Sequence, residues 1–559
     1  MRFYLFRLLA MLSLLGAPAA SAAPTPRLVV AISVDQFSSE VYARYRENYS
    51  AGLKRLSSGI AFPVGYQSHA TTETCPGHST ILTGDHPSHT GIIGNSWFDR
   101  NSGSTVYCVE VAGNKDPKAR GPQKLRVTTL GDWIKQAHPR SRVVAISGKD
   151  RAAIMMGGHK PDLVAWWVDG AGFETSRYAG RVDDEIQNIL ERENAGIAKA
   201  WSSASPSLWP AKVPAYCQSL VRPHHFGDID VSGRVPPDAS IEATANPGFP
   251  KGAMFQGALR ASPLSDSITL DFAADMARRW KLGAGKGLDL LAVSLSATDY
   301  VGHVYGNGGA EMCAQVNALD QSLGKFLRRI DRLGVPYIVV LTADHGAADA
   351  PERLKDRGIS AERLDGAGLI KALNQYLKQA LSLDSDPITA DDAQQLYITL
   401  PGNPAIIDRV RSEAVNWLRQ QASVESVLTR ESVVAAKPPR GKSPAELTLA
   451  ERLNESFDRD RSADIFVEFK KYTTFGWPRR QGVSVAGHGS PWDYDRQVPM
   501  LFWWRGAPTK TLAAPVETVD IAPTIASVIG VAIPLVDGRC LSVVTNCKAN
   551  SVSAAGRNR

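Results

Sequence analysis

Four short runs of apolar, largely β-branched residues constrain this chain more than any other feature: 28–34, 142–147, 290–295 and 337–342. Unbroken apolar runs of this length predict strands buried on both faces, the habit of a parallel sheet covered by helices. Helical patterns over 268–280 and 316–333 lie between them. The order is therefore βαβα, which predicts an α/β fold with a largely parallel central sheet and helices on both faces. Such sheets bind ligands beyond the carboxyl ends of their strands. Each of the four runs delivers charged or ligating residues at that edge. Asp35 follows the first, Lys149, Asp150 and Arg151 the second, Asp299 and His303 the third, Asp344 and His345 the fourth. Asp after one strand is ordinary turn chemistry; four strands ending this way point to a site.

Together with His488 in Gly487-His488-Gly489-Ser490, the inventory is three carboxylates and three imidazoles: Asp35, Asp299, Asp344, His303, His345 and His488. That mixture suits zinc or another borderline divalent metal. Asp299 and His303 are four residues apart, so one helical face presents both. Six ligands exceed one tetrahedral site, and two metals about 4 Å apart are the natural inference, an arrangement that clamps the attacking and leaving oxygens of a phosphoryl displacement.

A further stretch runs from Glu73 through Thr74-Cys75-Pro76-Gly77-His78 to Asn95. Pro76 at a first helical position and the permissive Gly77 predict a tight loop opening into a helix, whose free N–H groups face an anion. By itself Thr74 would be an N-cap. His78 and His89 read as packing or hydrogen-bonding histidines. Cys75, the one rival nucleophile, reads as structural, with Cys108 as a possible partner.

The set Asp35, Thr74-Cys75-Pro76-Gly77-His78, Gly91-Ile92-Ile93-Gly94-Asn95, Lys149-Asp150-Arg151, Asp299-x-x-x-His303, Asp344-His345-Gly346 and Gly487-His488-Gly489-Ser490-Pro491 resembles the alkaline phosphatase superfamily, above all bacterial PafA/PhoK-type enzymes with a single threonine nucleophile. The resemblance spans nearly the whole chain. It implies Thr74 as nucleophile and one zinc on Asp35, Asp344, His345 and the Thr74 oxygen. It places a second zinc on Asp299, His303 and His488, and phosphoryl oxygens on Asn95, Lys149 and Arg151. A monoester dianion carries one more charge than a diester, and Lys149 with Arg151 can reward it, so small phosphate monoesters are the expected substrates. Sulfatase-type chemistry is disfavoured, because Cys75 is followed directly by Pro76 and position 79 is Ser, not Arg. No spare ligand set for a magnesium stands out, and additional calcium or magnesium is left open. Two rival readings remain: a phosphodiesterase or nucleotide pyrophosphatase, and a non-catalytic phosphate-binding protein.

The chain's ends and insertions complete the expectation. Arg2 and Arg7, the apolar stretch 8–15 and Ala20-Ser21-Ala22 read as a signal peptide over 1–22, and export to the periplasm or medium follows. Removing the two arginines takes the net charge from +7 to +5, with no basic run of the kind that marks nucleic acid or membrane surfaces. No later segment is long and apolar enough for a membrane span. A monomer is the expected state. Six cysteines in an exported chain suggest up to three disulfides, with Cys540 and Cys547 the nearest pair. Residues 23–559 read as one catalytic domain with two insertions: an irregular, Trp- and Pro-rich cap at about 155–260 and a small α/β subdomain at about 347–480, which carries a solvated loop at 435–445. Asp520 reads as a helix cap, and Asp384, Asp386, Asp391 and Asp392 as a solvated acidic face.

Overall fold

The computed structural model describes residues 25–547 apart from 115, 117, 177–183, 204–205, 238–251, 401–402, 440 and 481. The signal peptide read at 1–22 lies outside the described residues.

The four apolar runs become adjacent strands. Across the central sheet the order is Lys510–Thr511, Ile60–Tyr66, Gln497–Trp504, Tyr337–Thr342, Leu28–Val34, Asp289–Leu295, Val143–Ser147, Leu163–Val168 and Gly172–Glu174, with Val516–Glu517 also on Ile60–Tyr66. The five strands from Tyr337–Thr342 to Leu163–Val168 are mutually parallel. Gln497–Trp504 and Ile60–Tyr66 continue the sheet antiparallel on one side. Alternate residues of the first strand enter different cores: Val30 and Ile32 one, Val29 and Ala31 the other. That two-residue alternation between two apolar layers is why the run carries no polar face.

The stretch read as an irregular cap begins inside the helix Asp150–Gly157 and gives two strands to the central sheet. Its aromatics pack inward: Trp167 lies edge-on to Phe173, and Trp201 stands 6.0 Å from Trp167. The 20-residue helix Asp184–Ser203 follows, so this part of the segment is regular structure. In the second insertion a four-stranded sheet, Ile388–Ala390, Gln395–Ile398, Ile465–Phe469 and Val424–Thr429, packs with the helices Gly366–Leu381 and Pro404–Arg419 around its own small core.

All six cysteines are paired, as Cys75–Cys108, Cys217–Cys313 and Cys540–Cys547. Asp520 stands at the N-cap position of the helix Ile521–Ile529, but its side chain does not cap that helix; it accepts the backbone N–H groups of Glu517 and Arg539 instead. Asp392 departs from the solvated face: it is half-buried, accepts from the N–H groups of Gln394 and Gln395, and is pushed up to about 6 by burial.

Candidate active site

Strand register assembles the centre. Ser33 pairs with Thr342, so two residues further on Asp35 and Asp344 leave the sheet side by side. Asp344 Oδ1 accepts from the N–H groups of Gln36, at 3.1 Å, and His345, at 3.0 Å, which turns Oδ2 inward. Gln36 takes a positive φ of 64°, strain that a non-glycine residue tolerates where its surroundings hold it, here with its amide on Asn307. Asp299 and His303 lie on the helix Ala297–Tyr305 just after the neighbouring strand. His488 arrives on the loop before the antiparallel strand Gln497–Trp504, which starts at the same edge.

The three imidazoles share one arrangement. Nδ1 donates to a backbone carbonyl in each: His303 to Ala486, His345 to Gly346 and His488 to Thr72, at 2.9, 3.0 and 2.9 Å. That fixes the tautomer and leaves Nε2 as the free donor atom, the orientation of metal-binding histidines. His303 and His488 place Nε2 at 3.3 and 3.4 Å from Asp299 Oδ1; His345 places it 3.4 Å from both Asp35 Oδ1 and Asp344 Oδ2. A tetrahedron with bonds of about 2.0–2.1 Å has edges of about 3.3 Å, so these are ligand-to-ligand spacings. Asp35 Oδ1, Asp299 Oδ1 and His345 Nε2 are buried without a hydrogen bond. Burial pushes His345 down to about 3 despite the Asp344 charge, which keeps it neutral and able to ligate. Burial together with Asp344 drives Asp35 well above the ordinary carboxylate range. Such crowding calls for divalent charge, and the residues fit two metal ions.

The two ligand groups meet at His345. Asp35, Asp344 and His345 form one; Asp299 and His488 gather with His345 in the other, His303 completing the wall through Asp299. His345 and His488 stack at 3.7 Å between centroids.

Thr74 opens the helix Thr74–Thr83, two residues earlier than the position of Pro76 predicts; the missing N–H of Pro76 falls in the first turn, where no helical partner exists. The N-cap is Glu73, and the Thr74 hydroxyl does not cap. Arg151 Nη2 donates to Thr74 Oγ at 3.4 Å, while Nη1 donates to Tyr107 Oη at 3.3 Å. The helix sits so close to the Asp344 backbone that a Cβ on Gly77 would stand 2.0 Å from its carbonyl oxygen. Glycine is the residue that allows this helix to approach the Asp344 backbone.

Asn95 is held three ways: its N–H donates to Glu73 Oε2, its carbonyl accepts from Cys108 N–H, and its Oδ1 accepts from Cys75 N–H. The side chain therefore offers its amide nitrogen as donor. Lys149 Nζ lies 2.6 Å from Asp35 Oδ2 and 2.6 Å from Asp299 Oδ2, between the two ligand groups. Burial would lower its pKa, but Asp299 and Asp35 raise it further, so it stays charged.

The other expectations resolve individually. His78 hydrogen-bonds, with Nδ1 2.9 Å from the Thr74 carbonyl and 3.0 Å from Asp344 Oδ2 and Nε2 on Ser294; it braces a ligand. His89 pairs with Asp537 at 2.7 Å. Cys75 is in a disulfide and is no nucleophile. Sequence reasoning missed Glu73, Tyr107 and Tyr300. Tyr107 also donates to Asp150, and the Tyr300 ring stands 4.9 Å from Lys149 Nζ. Adjacency to Thr74 and Asp299 is the only signal for the first and last of these.

Beside Lys149 and Arg151 opens a cavity of about 380 Å³, lined by Trp166, Trp167, Arg260 and Tyr300 among others. A larger one of about 510 Å³ lies among Tyr337, Trp504 and Val528, at the opposite strand ends and away from this chemistry.

A parallel sheet whose carboxyl edge holds two adjoining metal-ligand groups, a helix-start threonine and buried cations defines the class of the alkaline phosphatase superfamily. Comparison with known proteins agrees. The family model described as type I phosphodiesterase / nucleotide pyrophosphatase matches residues 29–482, ending short of His488. The chain is 41% identical to the alkaline phosphatase PhoK of Sphingomonas sp over 94% of its own length and 92% of that protein. It is 39% identical to the alkaline phosphatase PhoD of Zymomonas mobilis, over 92% and 88%. The crystal structure of the alkaline phosphatase PafA superposes with a TM-score of 0.78 at 25% identity, covering 94% of this chain and 99% of that one. The chain therefore belongs to the type I phosphodiesterase / nucleotide pyrophosphatase family within the alkaline phosphatase superfamily, as an alkaline phosphatase of the PafA/PhoK type.

Proposed function

We propose that this chain is an exported, zinc-dependent phosphatase that hydrolyses small phosphate monoesters through a phosphothreonine at Thr74. The observation that carries the reading is the contact between Arg151 and the Thr74 hydroxyl, made beside the paired ligand groups. The three disulfides support an oxidising compartment.

Two zinc ions on Asp35, Asp344, His345 and on Asp299, His303, His488 would lower the pKa of the nucleophile and steady charge on the leaving oxygen. Thr74 Oγ attacks phosphorus in line; the Oγ–P bond forms as the bond to the leaving alkoxide breaks, and the proton given up by the Thr74 hydroxyl is balanced by the one taken up by the leaving alcohol. Water then attacks the same phosphorus, releasing inorganic phosphate and returning the proton-bearing hydroxyl to Thr74. Arg151, the Asn95 amide and Lys149 face the equatorial oxygens, where charge is greatest in the transition state. The start of the Thr74–Thr83 helix adds little to this cradle, because the Cys75 N–H donates to Asn95 Oδ1, Pro76 has no N–H and the Gly77 N–H bonds the Glu73 carbonyl. Burial of Thr74 and Lys149 keeps water from screening these charges.

The test is hydrolysis of p-nitrophenyl phosphate beside bis-p-nitrophenyl phosphate at alkaline pH, on chelator-stripped protein restored with zinc. Zinc-restored activity favouring the monoester supports the reading. A diester preference would transfer the chain to the phosphodiesterase reading, which the family model's description favours. Silence on both would leave phosphate binding without turnover.

A further inference from the structure

The nucleophile helix ends at Thr83, and the chain turns through Gly84, at φ 76°, into Asp85 and His86. What faces His86 comes from three distant parts of the chain. Its Nδ1 lies 3.2 Å from Ser68 Oγ and 3.7 Å from Glu455 Oε2, and its Nε2 lies 3.9 Å from Glu517 Oε1. The three titratable side chains are only 12%, 12% and 18% exposed. Both carboxylate distances are too long for hydrogen bonds, so imidazole and glutamates are gathered without being bonded. Glu455 Oε2 is buried with no hydrogen bond at all, a costly state for a carboxylate oxygen whose neighbouring imidazole stands 3.7 Å away.

We infer that His86, Glu455 and Glu517 form a third metal site, structural in role, for a divalent cation of the zinc or manganese class. One donor atom from each lies within 4.8 Å of the other two, a spread that one central ion can bridge with bonds of about 2.1 Å after small side-chain shifts. One imidazole and two carboxylates suit such an ion, and the two negative charges balance it.

The surroundings agree. Glu455, Asp537, Glu517 and Asp85 all direct negative charge at the imidazole. Arg452 and Arg496 stand near Glu455 but donate to backbone carbonyls, Arg452 to Leu447 and Pro491, Arg496 to Ser68 and Pro444. Asp537 is not a ligand, because its Oδ2 already accepts from His86 N–H and His89 Nδ1, at 2.9 and 2.7 Å.

The position supplies the purpose. Glu517 pairs with Tyr66 at the end of its strand, just before the loop that leads to Thr74. Glu455 lies on the helix Leu449–Ser456, and Ser456 Oγ accepts from the N–H groups of Ala70 and Thr71 in that same loop. Thr72 in turn orients His488. An ion at His86 ties both ends of the nucleophile segment to one point without touching substrate.

The experiment measures metal content by mass spectrometry on full-length protein equilibrated with zinc and freed of excess. Wild type is compared with Glu455→Gln and with the Glu455→Gln, Glu517→Gln double variant. The double variant should hold one metal equivalent per chain fewer, lose most of the zinc dependence of its unfolding temperature, and keep turnover at saturating zinc within about threefold. Equal metal content in correctly folded wild type and variant would overturn the site and leave an imidazolium between two carboxylates. Anomalous scattering at the zinc edge from wild-type crystals decides it independently of variant folding: a peak between His86 and the two glutamates supports the site, and none there refutes it.

Discussion

Replacing Arg151 with Ala separates monoester from diester hydrolysis, and the structure sets the scale. The guanidinium lies 3.4 Å from Thr74 Oγ, so phosphorus bonded to that oxygen brings the equatorial oxygens within about 4 Å of the cation. At that separation, with an effective dielectric of about 20, two unit charges interact by about 4 kcal/mol. A monoester dianion presents one charge more than a diester, and if remaining cations and admitted water recover half, the difference is about 2 kcal/mol, or roughly thirtyfold. Loss of the guanidinium's charged hydrogen bonds adds roughly 10²–10³ in common to both substrates. Arg151→Ala should therefore lower kcat/KM by about 3 × 10³–3 × 10⁴ for p-nitrophenyl phosphate but by only about 10²–10³ for methyl p-nitrophenyl phosphate, which shares the leaving group. Arg151→Lys should recover little, because the guanidinium spans Thr74 and Tyr107 at once. Equal losses on the two substrates would refute the charge-counting argument and with it the assigned role of Arg151.

Four further outcomes are expected. Thr74→Ala should abolish turnover with the fold intact by circular dichroism, and radiolabelled phosphate should no longer be trapped on the protein after acid quench. His345→Ala, which removes the side chain shared by both ligand groups, should cost at least one bound metal per chain and nearly all activity, read by metal analysis beside rate. Glu468 is buried with Oε2 unpartnered and is pushed up to about 8 by burial and then Asp392, so the fold binds a proton that the unfolded chain releases near 4.5. That contribution to stability is full below about 4.5 and lost as pH rises through about 8; Glu468→Gln should raise the unfolding temperature at pH 9 and not at pH 4, and a uniform shift would contradict the linkage. Removing the Cys217–Cys313 bridge, which spans 96 residues, should destabilise by roughly 2–5 kcal/mol in denaturant titration while leaving kcat nearly unchanged.

How far the site was legible can be argued from particular residues. Asp35, Asp344 and Asp299 were readable because each follows an unbroken apolar run, and burial on both faces leaves a strand one way to lie. His488 was readable only through its glycine-flanked motif, since its strand runs antiparallel and no apolar run announces it. Trp166 and Trp167 misled: aromatic, Pro-rich sequence suggested an irregular cap, yet both lie on a strand of the central sheet, where large apolar side chains pack equally well. Tyr107 was invisible, because its partner Asp150 is 43 residues away and no local pattern encodes the contact.

The sequence by itself determined the parallel α/β architecture, the edge at which the chemistry gathers, and the residue types that can hold metal and phosphate. Those properties follow from local hydrophobic pattern and side-chain chemistry. Only the tertiary structure decided that Asp35 and Asp344 stand in register, that His345 is shared between two ligand groups, and that Lys149 lies between carboxylates from different strands. It also brought Glu455 and Glu517 to His86, across more than 360 residues in the first case. Such distances depend on how separate strands and loops pack, a long-range outcome that no window of sequence contains.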